Sequence, residues 1–285
     1  MARILVTGAK GFIGAHLIPR IRGLQHEISA LGSCSGDVAE PSTWRAFPDA
    51  EIVIHLAGKT FVPDSWKDPV GFLRTNLHGT LCALDYCRQR SARLIFISSY
   101  LYGTPKELPI SERATVEANN PYALSKKMAE EACAFYSGHY GLDVTVLRPF
   151  NIYGPGQDRK FLIPSIIEQA VRGAEIRVKD LEPKRDYLYI EDLIGAFLCA
   201  IGKPQRFGVF NIASGTSYSV SEVIELVKGL TGRNIPVHSD NDRRPQEVMD
   251  TRADITKARH ILAWQPRWSL AAGCAKMLEA ADSLR

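Results

Sequence analysis

The chain has 285 residues, of which 45% are hydrophobic and 23% are charged, and this length allows one large domain or two modest ones. A formal net charge of +4 is too small to indicate a nucleic-acid partner, and no apolar run approaches the length of a membrane span. Six cysteines without CxxC pairing or zinc spacing, and a first strand that leaves no room for a signal peptide, predict reduced thiols, no metal site and a cytoplasmic location.

The first two-thirds of the chain alternate short, apolar, β-branched runs with longer segments of helical periodicity. We predict strands at 3–8, 26–31, 51–58, 93–99 and 143–150, with helices that include 12–23, 66–90 and 122–138. Nearly continuous apolar strands that alternate with helices are typical of a parallel sheet covered on both faces. This part of the sequence therefore predicts an α/β fold with a doubly wound parallel sheet.

After residue 150 the pattern becomes irregular. A loop and a helix are followed by a strand and helix in "RDYLYIEDLIGAFLCAI", by "VFNIASG", and by the helix "SVSEVIELVKGL". We predict that residues 1–150 form the sheet domain and that 184–212 return to it. Residues 151–285, mainly 151–183 and 213–285, are predicted to form a smaller, interleaved α+β region that binds substrate.

The stretch "VTGAKGFIG" places Gly8, Gly11 and Gly14 between the first strand and the first helix. Glycine permits a tight turn and a close approach of the backbone to a pyrophosphate, and the helix N-terminus supplies N–H groups and a partial positive charge. Because this turn opens the chain at a strand–helix junction, it predicts a bound dinucleotide and a Rossmann domain.

The end of the second strand bears on the choice between NAD and NADP. A carboxylate at this position binds the free ribose 2′-hydroxyl of NAD, but the first acid after the strand is Asp37. Lys10, inside the glycine turn, could instead face a 2′-phosphate, although a solvated Lys10 is the alternative and no arginine follows Gly32. The sequence therefore favours NADP over NAD.

A tyrosine and a lysine stand four residues apart in "NNPYALSKKMAEEACAFY". Tyr122 and Lys126 share one face of the predicted helix, which Asn119 or Asn120 can cap and for whose first turn Pro121 is suited. An ammonium near a phenol favours the phenolate and lowers the pKa of the phenol from about 10. The pair therefore predicts an acid–base catalyst, although the spacing alone also occurs by chance.

Further motifs place polar groups near this pair: "FISSYLYG" ends a strand with Ser98 and Ser99, and "FLRTNLHGT" carries Asn76. With them, the sequence resembles the extended short-chain dehydrogenase/reductase superfamily, which comprises NAD(P)-dependent nucleotide-sugar epimerases, dehydratases and reductases. The resemblance covers nearly the whole chain. Its motifs are "TGAKGFIG", Asp37-Val38, "HLAG", Asn76 with Gly79-Thr80, "SSYLYG", "PYALSK", "LRPFNIYGPGQ", "RDYLYIEDL", "FNIASG" and "RRPQEV".

The resemblance implies roles for individual residues. Ser98 is the catalytic hydroxyl, with Ser99 a less favoured choice, Tyr122 is the acid–base, and Lys126 lowers the pKa of the tyrosine and holds the ribose. The implied cofactor-binding residues are Gly8, Lys10, Gly11, Phe12, Ile13, Gly14, Asp37, Val38, Leu56, Ala57, Gly58, Asn76, Tyr122, Lys126 and Pro149.

For the substrate, the resemblance implies that Ser99 and Asn151 contact the sugar nucleotide and that two arginines, Arg185 and Arg244, clamp its diphosphate. Arg243 is an alternative to Arg244. Ordinary ion pairing of Arg185 with Asp186 or Glu191 is the alternative reading of that arginine. The resemblance also implies a homodimer through a four-helix bundle of the helices near 66–90 and 122–138.

Several activities remain open within the superfamily. The dehydratases have an Asp-Glu pair where this chain has Ser99 and Tyr100, so we do not expect a dehydratase. The missing acid after the second strand favours a reductase that exchanges NADPH, and "HLAGKTFVPDSWKDP" and "DLEPKRDY" look similar to the GDP-4-keto-6-deoxy-mannose reductases. We therefore expect reduction of a nucleotide-linked 4-keto-6-deoxysugar, with Tyr122 as the proton donor. The alternatives are an NAD-dependent nucleotide-sugar 4-epimerase and a non-enzymatic NADP-sensing module.

Overall fold

A six-stranded parallel sheet forms the centre of the computed structural model, which describes residues 1–32, 35–242 and 247–282. Its strands are β1 (Arg3–Thr7), β2 (Glu27–Leu31), β3 (Ile52–His55), β4 (Arg93–Ile97), β5 (Val144–Pro149) and β9 (Phe207–Ile212). Their order is β2-β1-β3-β4-β5-β9, and every neighbouring pair is parallel. The five predicted strands and the α/β class are confirmed.

Helices cover both faces of this sheet. Successive strand residues point to opposite faces, and the apolar side chains on each face pack against helices. On one side, Ile4 and Val6 share a core with α1 (Phe12–Gly23) and α8 (Ile190–Gly202). On the other side, Leu5 and Val53 share a core with α5 (Gly79–Arg90) and α6 (Pro121–Tyr140). The order reverses direction between β1 and β3, which is where ligands bind in sheets of this kind.

The predicted helix at 66–90 is built from several pieces. After α2 (Pro41–Arg45) the chain forms β3, then α3 (Val62–Lys67) and α4 (Pro69–Leu73). A π-helical segment, Arg74–His78, joins α4 to α5 without a break. Such π-helical turns often lie at functional sites.

The smaller region contains two further sheets. β6 (Asn151–Tyr153) is parallel to β8 (Lys184–Tyr189), and β10 (Ser217–Ser219) is antiparallel to β8. A second, two-stranded sheet pairs β7 (Ile176–Val178) with β11 (Val237–Ser239). The helices are α7 (Leu162–Arg172), α9 (Val220–Thr231) and α10 (Leu270–Asp282), and Ala258–Leu262 is π-helical. Of the predicted returning segment 184–212, α8 and β9 belong to the layers of the large sheet, whereas β8 lies in a small sheet. The boundaries of the two domains stay a prediction.

The start of α6 fixes the position of the tyrosine and lysine of interest. The side chain of Asn120 accepts a hydrogen bond of 2.8 Å from the backbone N–H of Ala123, and Pro121 occupies the first helical position. Asn120, one of the two predicted capping residues, is therefore the cap. Over the described ranges, we find no helix with both the length and the hydrophobicity that a bilayer crossing requires.

Candidate active site

A cavity of about 500 Å³ lies where the carboxyl ends of β1, β3, β4 and β5 meet the smaller region. This edge of a parallel sheet is the usual ligand site of doubly wound folds. The predicted site residues that line the cavity are Gly8, Gly11, Phe12, Ile13, Gly14, Leu56, Gly58, Ser98, Ser99, Tyr122, Lys126, Pro149 and Asn151. Lys10, Asp37, Val38, Ala57, Asn76 and Arg185 do not line it.

The glycine turn fits tightly against the loop after β3. Gly8 has φ of +68°, and a Cβ atom on it would lie 2.8 Å from the backbone nitrogen of Ala57. A Cβ atom on Gly14 would lie 2.6 Å from the carbonyl oxygen of Gly8. Helix α1 starts after Gly11 without a side-chain cap and has no acidic residue in its first turn. Its N–H groups and its dipole therefore favour an anion in the cavity, which fits the pyrophosphate of a dinucleotide.

The cationic side chain of Lys10, which belongs to the glycine turn, lies beside the end of β2. The side chain of Lys10 passes Gly32, with Cγ 3.4 Å from the position of a Cβ atom on that residue. Asp37, the first acid after the strand, forms an ion pair of 2.8 Å with Arg74. Ser33 and Cys34 lie outside the described residues. Among the described residues, this strand end therefore has the Lys10 side chain beside it, and the nearest acid is already paired with an arginine.

A buried histidine braces the loop after β3. The Nδ1 atom of His55 is 2.8 Å from the hydroxyl oxygen of Thr7, and that oxygen accepts a hydrogen bond of 3.1 Å from the backbone N–H of Ala57. Burial, and secondarily the charge of Lys126, lowers the pKa of His55 to about 3. The imidazole is therefore neutral at ordinary pH, and the three residues hold the loop against the glycine turn.

Asn76 lies in the π-helical segment and is buried. Its Oδ1 accepts from the N–H of Lys59 at 2.8 Å, and its Nδ2 donates to the carbonyl of Lys59 at 3.0 Å and to Oγ of Ser125 at 2.9 Å. We predicted that Asn76 binds the cofactor. In the structure, the polar groups of Asn76 join the loop after β3 to α6 through these hydrogen bonds. Asn76 lies beside the cavity and does not line it.

Ser98, Tyr122 and Lys126 all line the cavity. The ammonium of Lys126 donates a hydrogen bond of 2.9 Å to the carbonyl of Ile97. The hydroxyl oxygen of Ser98 is buried, and no described residue is its hydrogen-bond partner. Because buried hydroxyls are normally paired, this one points to a ligand that completes its hydrogen bonding. The structure therefore brings together the three groups that the sequence singled out.

The pKa shifts of this group follow from burial. Burial lowers the pKa of Lys126 to about 8, although the negative charge of Glu130 opposes the shift. Burial raises the pKa of Tyr122, and a hydrogen bond with Ser99 partly opposes this. We predicted from the spacing that Lys126 lowers the pKa of Tyr122. In the structure the pKa of Tyr122 lies above its ordinary value, because burial destabilises the phenolate more than the hydrogen bond with Ser99 stabilises it; the effect of Lys126 on the tyrosine stays a prediction.

On the substrate side, Asn151 lines the cavity and its amide donates to the carbonyl of Asp186 at 3.4 Å. Arg185 is held elsewhere: its guanidinium forms an ion pair with Glu247 and donates to the carbonyl of Val248 at 2.5 Å. The ion-pair partner is thus Glu247 and not Asp186 or Glu191. The predicted Arg244 and its alternative Arg243 lie outside the described residues.

Sequence reasoning did not single out several residues of the cavity wall. Tyr187 and Gln157 have a buried hydroxyl and a buried amide oxygen for which the described part of the chain offers no partner. Tyr187 lies within the motif "RDYLYIEDL" and Gln157 ends the motif "LRPFNIYGPGQ". Their membership of these highlighted motifs was the signal that the sequence offered. The other additions are Thr60, Val62, Ile97, Phe150, Ile152, Tyr153, Asp158, Lys160, Phe161, Leu162 and Ile163.

Comparison with known proteins fits this geometry. Residues 4–213 match the model of the NAD dependent epimerase/dehydratase family. The chain is 34% identical to the GDP-6-deoxy-D-mannose reductase of Pseudomonas aeruginosa over 281 residues, which cover 93% of this chain and 92% of the relative. It is 30% identical to a UDP-glucose 4-epimerase of Lactobacillus helveticus over 305 residues, with 93% and 92% covered.

Solved structures agree with both relationships. The RMD protein of Pseudomonas aeruginosa, solved as a complex with NADPH, superposes with a TM-score of 0.92 at 31% identity and covers 100% of each chain. The UDP-glucose 4-epimerase of Thermotoga maritima, solved with UDP-glucose, gives a TM-score of 0.92 at 29% identity, with 99% of this chain and 100% of that chain covered.

These matches and the cavity define a class of protein, the extended short-chain dehydrogenases/reductases that act on nucleotide sugars. The chain belongs to the NAD dependent epimerase/dehydratase family and is an NAD(P)-dependent nucleotide-sugar reductase or epimerase.

Proposed function

We propose that this enzyme is an NADPH-dependent reductase of a nucleotide-diphosphate-linked 4-keto-6-deoxysugar. The observation that carries the proposal is the buried hydroxyl of Ser98, which has no hydrogen-bond partner among the described residues and shares one cavity with Tyr122 and Lys126. A keto oxygen supplies the hydrogen-bond acceptor that this hydroxyl needs. The similarity to a GDP-6-deoxy-D-mannose reductase supports this reaction among those of the family.

Three segments would hold the cofactor: the glycine turn, the start of α1 and the loop after β3. Lys10 at the end of β2 supports NADP, and the similar RMD protein was solved with NADPH. A bound NADPH supplies the hydride. The chain's own contribution is to bind and orient the two ligands and to provide the proton.

Tyr122 is the proton donor in this proposal. Burial raises the pKa of Tyr122, so the phenol stays protonated at neutral pH, as a donor to a developing alkoxide must be. Ser98 donates a hydrogen bond to the same oxygen, and the positive charge of Lys126 stabilises the tyrosinate that remains after proton transfer. Asn151 in the cavity wall, with Arg185 and Arg244, is assigned to the sugar nucleotide.

The second candidate is a 4-epimerase, which the similarity to UDP-glucose 4-epimerases favours. An epimerase returns the hydride to its own substrate and consumes no external cofactor. The two candidates share Ser98, Tyr122 and Lys126, so the net redox change of the substrate separates them.

The experiment is an assay of GDP-, dTDP-, UDP- and CDP-linked 4-keto-6-deoxysugars with NADPH and with NADH, together with UDP-glucose alone. We expect stoichiometric oxidation of NADPH with one of the keto sugars, and a lower rate in Ser98→Ala. Interconversion of UDP-glucose and UDP-galactose with no net NADPH oxidation would instead identify an epimerase. Cofactor binding without turnover of any sugar would favour a sensing module.

We also propose a homodimer through α6. Its outer face carries exposed apolar side chains at helical spacing, with 42% of Leu124, 37% of Met128 and 52% of Phe135 accessible. Light scattering of the purified protein should give twice the chain mass, and Phe135→Glu should halve it. Leu230→Glu, on an exposed position of α9, is the matched control.

A further inference from the structure

A buried ion pair lies one helical turn beyond Lys126. Glu130 follows Lys126 by four residues on α6 and is 7% exposed, and Arg148 of β5 is 6% exposed. The carboxylate of Glu130 accepts from Nε of Arg148 at 2.9 Å and from Nη2 at 2.5 Å. Two parallel hydrogen bonds between guanidinium and carboxylate fix both side chains.

The same guanidinium reaches the segment that carries Ser98. Nη1 of Arg148 donates to the hydroxyl of Tyr102 at 2.9 Å, and that hydroxyl donates to Oδ1 of Asn211 at 2.6 Å. Tyr102 lies four residues after Ser98, in the segment that follows β4, and Arg148 directly precedes Pro149 of the cavity wall. The network therefore joins α6, the segment after β4 and the end of β5, which are the three segments that provide Tyr122, Ser98 and Pro149.

Burying charge is costly, and an apolar pair of the same size would fill this space as well. The position of the pair suggests what the charge does. Residues four apart on a helix are neighbours, so Glu130 and Lys126 share one face of α6, and the carboxylate acts on the charge of the lysine. It is the strongest charge that opposes the effect of burial on that lysine.

We propose that Glu130 and Arg148 are positioning residues for the catalytic pair: Glu130 keeps Lys126 charged, and Arg148 holds Glu130 in place. The inference rests on the proposed role of Lys126 beside Tyr122. It concerns charge and orientation, because neither Glu130 nor Arg148 lines the cavity.

Other ionisable groups around the lysine do not supply this negative charge. On α6 they are Tyr122 and Cys133, whose pKa values are raised by burial, and on β3 the neighbour is the neutral His55. Around Glu130, the described groups are Arg148 and Tyr102, and Glu112 also acts on Tyr102. Among the described residues, removing the carboxylate therefore leaves burial as the dominant influence on the pKa of Lys126.

The test is a pH titration of Lys126 in cofactor-free protein whose lysines carry ¹³C at Cε, followed by NMR. Lys126→Met identifies the resonance. The variants are Glu130→Gln and the double variant Glu130→Met with Arg148→Met, which keeps an apolar fill if the unpaired arginine of the first unfolds the protein. Arg148→Lys, which retains a cation opposite Glu130, is the control, and circular dichroism establishes which variants are folded.

We expect the pKa of Lys126 to fall by about one unit or more in folded Glu130→Gln, as loss of a nearby opposite charge predicts. In the double variant it should fall in the same direction by a smaller amount, because the Arg148 cation is removed as well. The control should stay close to the wild type. The alkaline limb of the pH–rate profile should move to lower pH by the same amount. An unchanged pKa of Lys126 in a folded variant would overturn the inference. Absence of any sugar turnover in the wild type would instead count against the proposed function, while the NMR titration would still decide the role of Glu130.

Discussion

The two sides of the cavity are organised differently. On the cofactor side, each group comes from one short stretch of chain: the glycine turn lies between β1 and α1, and Tyr122 and Lys126 lie one turn apart on α6. On the substrate side, Arg185, which we propose as a diphosphate ligand, lies outside the cavity lining and is held by Glu247, which lies 62 residues away in sequence. The first arrangement is set by backbone geometry, whereas the second depends on which distant side chain competes for the arginine.

This difference indicates which side chains must move when a ligand binds. The start of α1 presents N–H groups that no side chain of the described residues caps, so an anion can bind there without displacing a described side chain. A diphosphate that takes Arg185 must first displace Glu247 or be joined by it. We therefore expect substitutions on the cofactor side to act directly on binding or chemistry. Substitutions on the substrate side should act by changing the competition between Glu247 and the diphosphate for Arg185.

The largest expected effect comes from the proton donor. Tyr122→Phe removes the hydroxyl but keeps the ring, which packs against Phe72 with centroids 6.3 Å apart. We expect kcat to fall by roughly 10²- to 10⁴-fold, the usual contribution of general acid catalysis, with little change in cofactor affinity. Tyr140→Phe, at an exposed position of the same helix, is the control. A Tyr122→Phe enzyme with a near-normal rate would remove the phenol from the mechanism.

The next effect is on stability. The pKa of Lys126 is about 8 in the folded chain and ordinarily 10.5, so between these values the unfolded chain binds more protons. Stability therefore rises as the pH increases from 8 to 10.5, and the buried charge costs about 3 kcal/mol below pH 8. Urea unfolding should show this rise in the wild type and a flatter profile in Lys126→Met. Parallel profiles for the two proteins would show that Lys126 is not the group responsible.

The cofactor side was also the more predictable one. The glycine turn, the Asn120 cap and the Tyr122–Lys126 spacing are local patterns. The structure has the glycine turn, Tyr122 and Lys126 together at the cavity, and Asn120 caps the helix that carries the pair. What the sequence could not give depends on distant neighbours. The pKa direction of Tyr122 follows from burial, the partner of Arg185 comes from a segment 62 residues away, and Asn76 bonds to Lys59 and Ser125 across separate elements.

A substitution in the glycine turn should weaken cofactor binding. In Gly8→Ala, the new Cβ atom would lie 2.8 Å from the nitrogen of Ala57 at a φ of +68°, so the turn or the loop must shift. Strain of this kind costs about 1–3 kcal/mol, so we expect the Kd of NADPH, measured by calorimetry, to rise by roughly 10- to 100-fold. Gly138→Ala, where the new Cβ atom meets nothing within 4 Å, is the matched control. Equal affinities in the two variants would argue against a tight turn beneath the cofactor.

The smallest effects belong to the substrate side, and they test competition for Arg185. Glu247→Gln removes the charge that holds the guanidinium, so the arginine becomes easier to recruit. An ion pair at this degree of exposure is worth on the order of 1 kcal/mol, so KM for the sugar nucleotide should fall by up to about fivefold. Arg185→Met removes charge-assisted hydrogen bonds to phosphate, so KM should rise by roughly tenfold or more. The Kd of NADPH should be the same in both, because neither residue lines the cofactor part of the cavity. If KM is unchanged in Arg185→Met, the arginine serves only its ion pair with Glu247, and the diphosphate is bound instead by groups of the cavity wall.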